Sequence, residues 1–176
     1  TVRKTAYLPW WFFRSRVLNQ KQPLQTVLFV TDYCNLKCRH CMDEGHQGSR
    51  MKPYGKIREE LEYSYRQGSR FIDFEGGEPT LWRDTEGRNL NDLYRLAREV
   101  GFWSCTLTTN GQQSFSDTLA DSVWVSVDGY GKDHDRIRGK GTFAKLDRNI
   151  RESGHPALSI AMAVNKLNKG SVGRLI

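Results

Sequence analysis

The chain has 176 residues, 38% of them hydrophobic and 27% charged, with a formal net charge of +7. That is one domain's length, with apolar material enough for a packed core and no biased tract that would stay disordered. No run approaches the roughly 18–20 apolar residues of a membrane-spanning helix, and no signal peptide is recognisable.

The charge is concentrated at one end. Residues 1–24 hold Arg3, Lys4, Arg14, Arg16 and Lys21 and no acid, whereas the other 152 residues carry 22 basic and 20 acidic side chains. The body is therefore near balance, which argues against a phosphate-binding surface and predicts no specific nucleic-acid partner. Trp10, Trp11, Phe12 and Phe13 are consecutive, so no helical apolar face is formed. Pro9 would open a helix at Trp10 that Asn19, Gln20 and Pro23 soon end. The expectation for residues 1–24 is a basic aromatic arm packed onto the body. Peripheral contact of residues 1–20 with an anionic membrane is the alternative, because Trp beside Arg or Lys suits that boundary.

Residues 25–176 form the second unit. Thr26–Thr31 is a short apolar run predicted as the first strand, and Cys34, Cys38 and Cys41 follow it. Pro53 opens a helix with Ile57, Leu61 and Tyr65 on one face and Gly68 as its stop. Phe71–Phe74 is the second strand and runs into Gly76-Gly77-Glu78-Pro79. Leu90, Leu93, Ala97 and Val100 mark the next helix, ended by Gly101. Phe102–Thr109 is the third strand, broken by Asn110-Gly111, and Ser116–Ala120 is no more than a helical turn. Val123–Val127 is the fourth strand, broken by Asp128-Gly129. A helix over Phe143–Ile150 and a fifth strand over Leu158–Val164 complete the pattern. Strands alternating with helices predict an α/β fold with parallel strands and outer helices, whose sites gather at the carboxyl ends of the strands. Each punctuated motif falls at such an end.

The cysteines carry the chemistry. Three of the four lie in one loop as Cys34-x3-Cys38-x2-Cys41, which is metal chemistry in a reducing compartment rather than a disulfide framework. Iron–sulfur cubanes usually take four cysteines, so a three-cysteine loop suggests a cluster with one iron open to an exogenous ligand. A structural zinc site with His40 or His46 as fourth ligand is the alternative, weakened by the lack of a second ligand pair. Cys105 alternates with Trp103 and Leu107 and reads as a core thiol.

With these motifs in place, the chain resembles the radical S-adenosylmethionine (SAM) superfamily over about residues 25–170. The pattern His134-x3-Arg138-Gly139…Gly141-Thr142-Phe143 is closest to the branch of peptide maturases and molybdenum-cofactor enzymes. The resemblance implies a partial (βα)6 parallel barrel, of which about five strands are present, so the natural chain is expected to continue past Ile176. It implies that Cys34, Cys38 and Cys41 hold a [4Fe–4S] cluster whose open iron binds SAM. It places His40 near the adenine, Gly76, Gly77, Glu78 and Pro79 at the methionine amino group, and Thr109 and Asn110 in the third-strand motif. Ser126 and Asp128 match the fourth-strand motif, and Arg138 falls where an arginine meets the SAM carboxylate. Gly76 and Gly77, lacking Cβ, would let backbone polar groups approach the ligand closely. Arg138 has a plainer alternative as a solvated arginine of a charged loop.

The activity implied is reductive cleavage of SAM to a 5′-deoxyadenosyl radical that abstracts hydrogen from a substrate. The electron would come from a flavodoxin or ferredoxin, and the expected location is the cytoplasm. The cofactor carries that chemistry, so no separate catalytic side chain is assigned. The competing reading is a non-catalytic metal-binding or interaction domain that retains the fold. The substrate is not legible.

Overall fold

In the computed structural model, which describes residues 2–41 and 48–175, five strands lie side by side in chain order. They are β1 (Gln25–Thr31), β2 (Phe71–Gly76), β3 (Ser104–Thr109), β4 (Ser122–Ser126) and β5 (Leu158–Ala161), and every neighbouring pair is parallel. The helices are α1 (Val2–Arg16), α2 (Tyr54–Arg66), α3 (Leu90–Val100), α4 (Lys132–Arg138) and α5 (Thr142–Ser153). Sequential order of parallel strands, with α2, α3 and the pair α4–α5 in all the crossovers but that from β3 to β4, is the arrangement of a βα barrel. Here β1 and β5 are not paired among the described residues, so the sheet is an open arc.

One face of the arc is a packed core. Leu28, Val30, Ile72, Phe74, Cys105, Leu107, Val123 and Val125 point from the strands, and Ile57, Leu61, Leu93, Leu96 and Leu146 from the helices meet them, all buried. The other face is concave and has a different character. Register places Val27 beside Asp73, Asp73 beside Thr106, and Thr106 beside Ser122. Two residues further along, Phe29 is beside Glu75 and Thr108 is beside Trp124. Val27, Phe29 and Trp124 stay nearly half exposed on this face, at 47%, 45% and 45%. A barrel interior packed for stability alone would fill this face with branched apolar side chains. This one alternates carboxylates, hydroxyls and open aromatic rings.

Sequence periodicity and structure differ at four places. The strands expected over Phe102–Thr109 and Leu158–Val164 are shorter, Ser104–Thr109 and Leu158–Ala161. The stretch carrying Arg138, expected as a loop, is α4. Seven residues with only His134 and Ile137 buried offer too little apolar repeat to be read. The helix expected to open after Pro9 instead begins at Val2 and runs through Pro9. Tertiary contacts outweigh the one donor that proline removes. Those contacts lie at the amino ends of the strands. The Tyr7 hydroxyl donates to the carbonyl of Gly68 at 2.8 Å, and its ring meets Trp103 edge-on at 4.8 Å. Trp11 Nε1 donates to the carbonyl of Gln22 at 2.8 Å. The arm thus lies across the end of the sheet away from the cysteines.

Candidate metal and cofactor site

The site is built on the loop that leaves β1. Its ends are drawn together by a return strand segment: the amide of Asp32 donates to the carbonyl of Arg50 at 3.3 Å, and that of Lys52 to Val30 at 2.9 Å. Asp32 also accepts Arg50 through Nε at 2.9 Å, and this pairing lowers its pKa. His46 lies outside the described residues.

The start of the loop is seated on the motif after β2. The amide of Gly77 donates to Thr31 O at 2.9 Å and that of Glu78 to Tyr33 O at 2.8 Å, extending the strand pairing past the end of β2. A Cβ on Gly77 would lie 2.3 Å from Tyr33 O, and one on Gly76 would lie 2.3 Å from Thr31 O. Gly76 also has φ +154°, which side chains avoid. The glycines were expected to make room for a ligand. The room they leave is taken by the backbone of the cysteine loop.

Glu78 is buried, and its carboxylate joins the stretch after β2 to the end of β3. Oε1 accepts the amide of Thr80 at 3.2 Å and the hydroxyls of Thr80 at 2.6 Å and Thr109 at 2.7 Å. Oε2 accepts the amide of Asn110 at 2.7 Å. Burial pushes its pKa up and these donors work against that rise. One acceptor direction on Oε2 is left for a further donor. Pro79 is buried and opens the short 3₁₀ turn Pro79–Leu81. Asn110 turns back to the cysteines: Nδ2 donates to Asn35 Oδ1 at 2.8 Å and lies 3.7 Å from Cys34 Sγ. Ser126 ends β4 on the concave face.

The far end of the loop is held elsewhere. The amide of Arg39 donates to the carbonyl of Ile137 in α4 at 2.9 Å. His40 Nε2 sits 3.4 Å from Asp128 Oδ2, which also accepts Arg138 Nε at 2.5 Å. Arg138 is therefore no solvated surface side chain; it is 12% exposed and paired. Asp128, expected among the cofactor contacts, has no exposed surface and is engaged within the chain.

The thiols of Cys34 and Cys38 are held protonated. Burial raises the pKa of Cys34, and it pushes Cys38 up to about 11, with Cys34 and Cys41 adding to the rise and Arg138 opposing it. The amide of Leu36 points at Cys34 Sγ from 3.4 Å. Among the described residues, no three His, Cys, Asp or Glu side chains come together tightly enough for a single ion. A structural zinc needs four ligands on one centre, whereas a cubane gives each thiolate its own iron and spreads them apart. Three partly buried thiols, with N–H groups and a guanidinium nearby to offset negative charge, suit such a cluster.

Two acids escaped the sequence reading. Asp73 and Glu75 project from β2 into the concave face, where Thr108 Oγ1 donates to Asp73 at 3.1 and 3.2 Å. Burial, and then the charge of Glu75, raise Asp73 to about 6. Their i, i+2 spacing inside an apolar strand was the available signal.

Comparisons agree with this geometry. The family model described as "Radical SAM superfamily" matches residues 28–176. A GTP 3′,8-cyclase of Psychromonas ingrahamii is 30% identical over 136 residues, covering 72% of this chain and 39% of the relative. An Fe-coproporphyrin III synthase of Methanosarcina barkeri is 29% identical over 169 residues, covering 84% and 38%. Among solved structures, Streptococcus suis SuiB bound to precursor peptide SuiA superposes with a TM-score of 0.69 at 20% identity, covering 92% of this chain and 38% of that one. The anSMEcpe structure with bound AdoMet and a peptide superposes with a TM-score of 0.62 at 21% identity, covering 80% and 43%. The chain thus spans about two fifths of the length of these relatives.

Proposed function

The chain belongs to the radical SAM superfamily, and from that premise we propose that it is the catalytic partial barrel of an enzyme that cleaves SAM reductively and abstracts hydrogen from a substrate. When bound, the cluster supplies one electron, received from a flavodoxin- or ferredoxin-type donor, that breaks a C–S bond of SAM to methionine and a 5′-deoxyadenosyl radical. The chain's own residues bind and orient. Cys34, Cys38 and Cys41 would hold the iron, and the spare acceptor direction on Glu78 would take the SAM ammonium. Arg138 would offer the SAM carboxylate its guanidinium edge, as charge-assisted recognition requires. Gly76 and Gly77 act indirectly by seating the cysteine loop, while His40, Pro79, Thr109, Asn110 and Ser126 surround the same end of the sheet. The substrate's place is the concave face beneath, where it would meet Phe29, Trp124, Asp73 and Glu75.

One observation carries this reading: the ends of β2 and β3 share the buried Glu78 carboxylate, and Asn110, bound to it by its amide, reaches with its side chain to Asn35 and Cys34 in the loop after β1. A non-catalytic domain needs no such polar convergence. Anaerobic reconstitution with iron and sulfide, then incubation with SAM and dithionite, tests it. Formation of 5′-deoxyadenosine is expected. Loaded cluster without that product favours the non-catalytic domain, and zinc in place of iron overturns the enzyme reading.

A second reading concerns place. No helix among the described residues is long and apolar enough to cross a membrane. Yet α1, anchored by Tyr7 and Trp11, leaves Trp10 52% and Phe12 58% exposed, with Phe13 stacked on Trp10 and Arg14 over the Trp10 ring. Aromatic and basic side chains together suit an anionic headgroup layer. We place the protein in the cytoplasm, touching such a surface through residues 1–20.

A further inference from the structure

Asp128 has no solvent exposure, and both of its carboxylate oxygens are taken by the chain's own donors. Its oxygens are engaged from three directions. Oδ2 accepts Arg138 Nε at 2.5 Å and lies 3.4 Å from His40 Nε2, while Oδ1 accepts the amide of Ala163 at 3.1 Å. Its own amide donates to His134 Nδ1 at 3.1 Å. The partners come from the cysteine loop, from α4 and from the segment after β5. A carboxylate stays buried and charged only with such compensation, and Arg138 supplies the opposite charge.

The neighbours show what this arrangement holds. His40 stands between Cys38 and Cys41, and the adjacent Arg39 amide is bonded to Ile137 O at 2.9 Å. The second half of the cysteine loop is therefore attached to α4 once by backbone and once through Asp128. Arg138 spends only Nε on Asp128; among the described residues neither Nη group has a hydrogen-bond partner. A planar guanidinium fixed at Nε has its Nη edge fixed too.

We propose that Asp128 is a positioning residue that fixes the guanidinium of Arg138 and the His40 end of the cysteine loop in one arrangement, without touching the cofactor itself. The stretch that bears the cysteines is thereby held at Gly77–Glu78 near Tyr33, at Asn110 through Asn35, and at Asp128 through His40. What Arg138 faces rests on the function proposed above; the fastening is a property of the free chain.

Two measurements test it. In the protein without iron, hydrogen exchange at the Arg39 amide is compared between the unaltered chain and Asp128→Asn, which keeps the shape and removes the charge. Exchange is expected to quicken about tenfold or more, because local opening is no longer held closed. Unchanged exchange overturns the proposal whatever the cluster does. In reconstituted protein, SAM affinity is measured by calorimetry for Asp128→Asn, Arg138→Gln and the double variant. A loss of about tenfold is expected for Asp128→Asn alone, and less than about twofold once Arg138 is already changed, since residues acting as a unit are not additive. Equal losses in both backgrounds mean that Asp128 meets the ligand directly, and overturn it; so does unchanged affinity in Asp128→Asn alone. A chain that takes up no iron at all sinks the function and leaves the exchange measurement standing. Should Asp128→Asn fail to fold, His40→Ala carries the exchange measurement, and unchanged exchange at the Arg39 amide then overturns the proposal.

Discussion

The carboxylate of Glu78 receives the backbone amide of Asn110 at 2.7 Å, so the loops after β2 and β3 share one buried acceptor. With three more donors on Oε1, the group works as a junction of the fold as well as a prospective ligand. Glu78→Gln tests that double role. The new NH₂ must face either Asn110 N–H or the Oε1 donors, setting donor against donor in a dry site. A loss of about 1–3 kcal/mol is expected in urea unfolding of the iron-free protein. A change within about 0.5 kcal/mol, the range of an ordinary surface substitution, would show that the junction is not structural.

Gly77→Ala should act on the cysteine loop before it acts on any ligand. Its Cβ meets Tyr33 O at 2.3 Å, and backbone cannot swing aside as a side chain can. The expected cost is about 1–3 kcal/mol of stability, together with reduced iron uptake on reconstitution. Full iron content with weakened SAM binding alone would return the glycine to the ligand-approach role that its sequence suggested.

The raised pKa of Asp73 makes stability depend on pH. Its folded value of about 6 lies above the ordinary 3.8, so the folded chain binds the proton more tightly than the unfolded chain between those values. Stability from this group is present below about pH 4 and lost as pH rises through about 6. Asp73→Asn removes that loss. It should stabilise the chain at pH 8 by on the order of 2 kcal/mol relative to its effect at pH 4. Denaturation at the two pH values reads this directly, and equal effects at both would mean Asp73 is not strained by burial.

The exposed Trp10, Phe12 and Phe13 of α1, together with its basic residues, predict binding to anionic vesicles. Each basic residue near such a surface adds about 1 kcal/mol, so flotation with phosphatidylserine vesicles should fall when Trp10 and Phe12 become Ser, and fall further in high salt. Flotation that survives both changes, or none in the unaltered chain, discards the membrane contact.

Much of the fold was legible because parallel strands buried by helices announce themselves as apolar runs, and their carboxyl ends as glycine- and asparagine-bearing breaks. Thr26–Thr31, Phe71–Phe74 and Val123–Val127 differ from the observed strands by one or two residues for that reason. The family resemblance likewise rested on spacing that any reader of the sequence can see. What stayed hidden depends on side-chain partners far apart in sequence. Nothing local tells that Gly77 is opposed by Tyr33, that Arg138 is paired with Asp128, or that Tyr7 reaches Gly68. The path of α1 through Pro9 was missed on the same ground, since a rule about one residue was weighed without the contacts that overrule it. Asp73 and Glu75 were missed for want of a known direction: two acids in a strand mean little until one face of it is seen to stay open.

The arm and the cysteine loop occupy opposite ends of the same strands, which are four to seven residues long. At about 3.3 Å per residue they stand roughly 13–23 Å apart. A chain resting on a bilayer by its arm would therefore hold its cysteine loop outward, in the aqueous phase. The same separation gives a practical handle. Tethering the domain to a solid support through its first residues would leave the chemical end free and facing the medium.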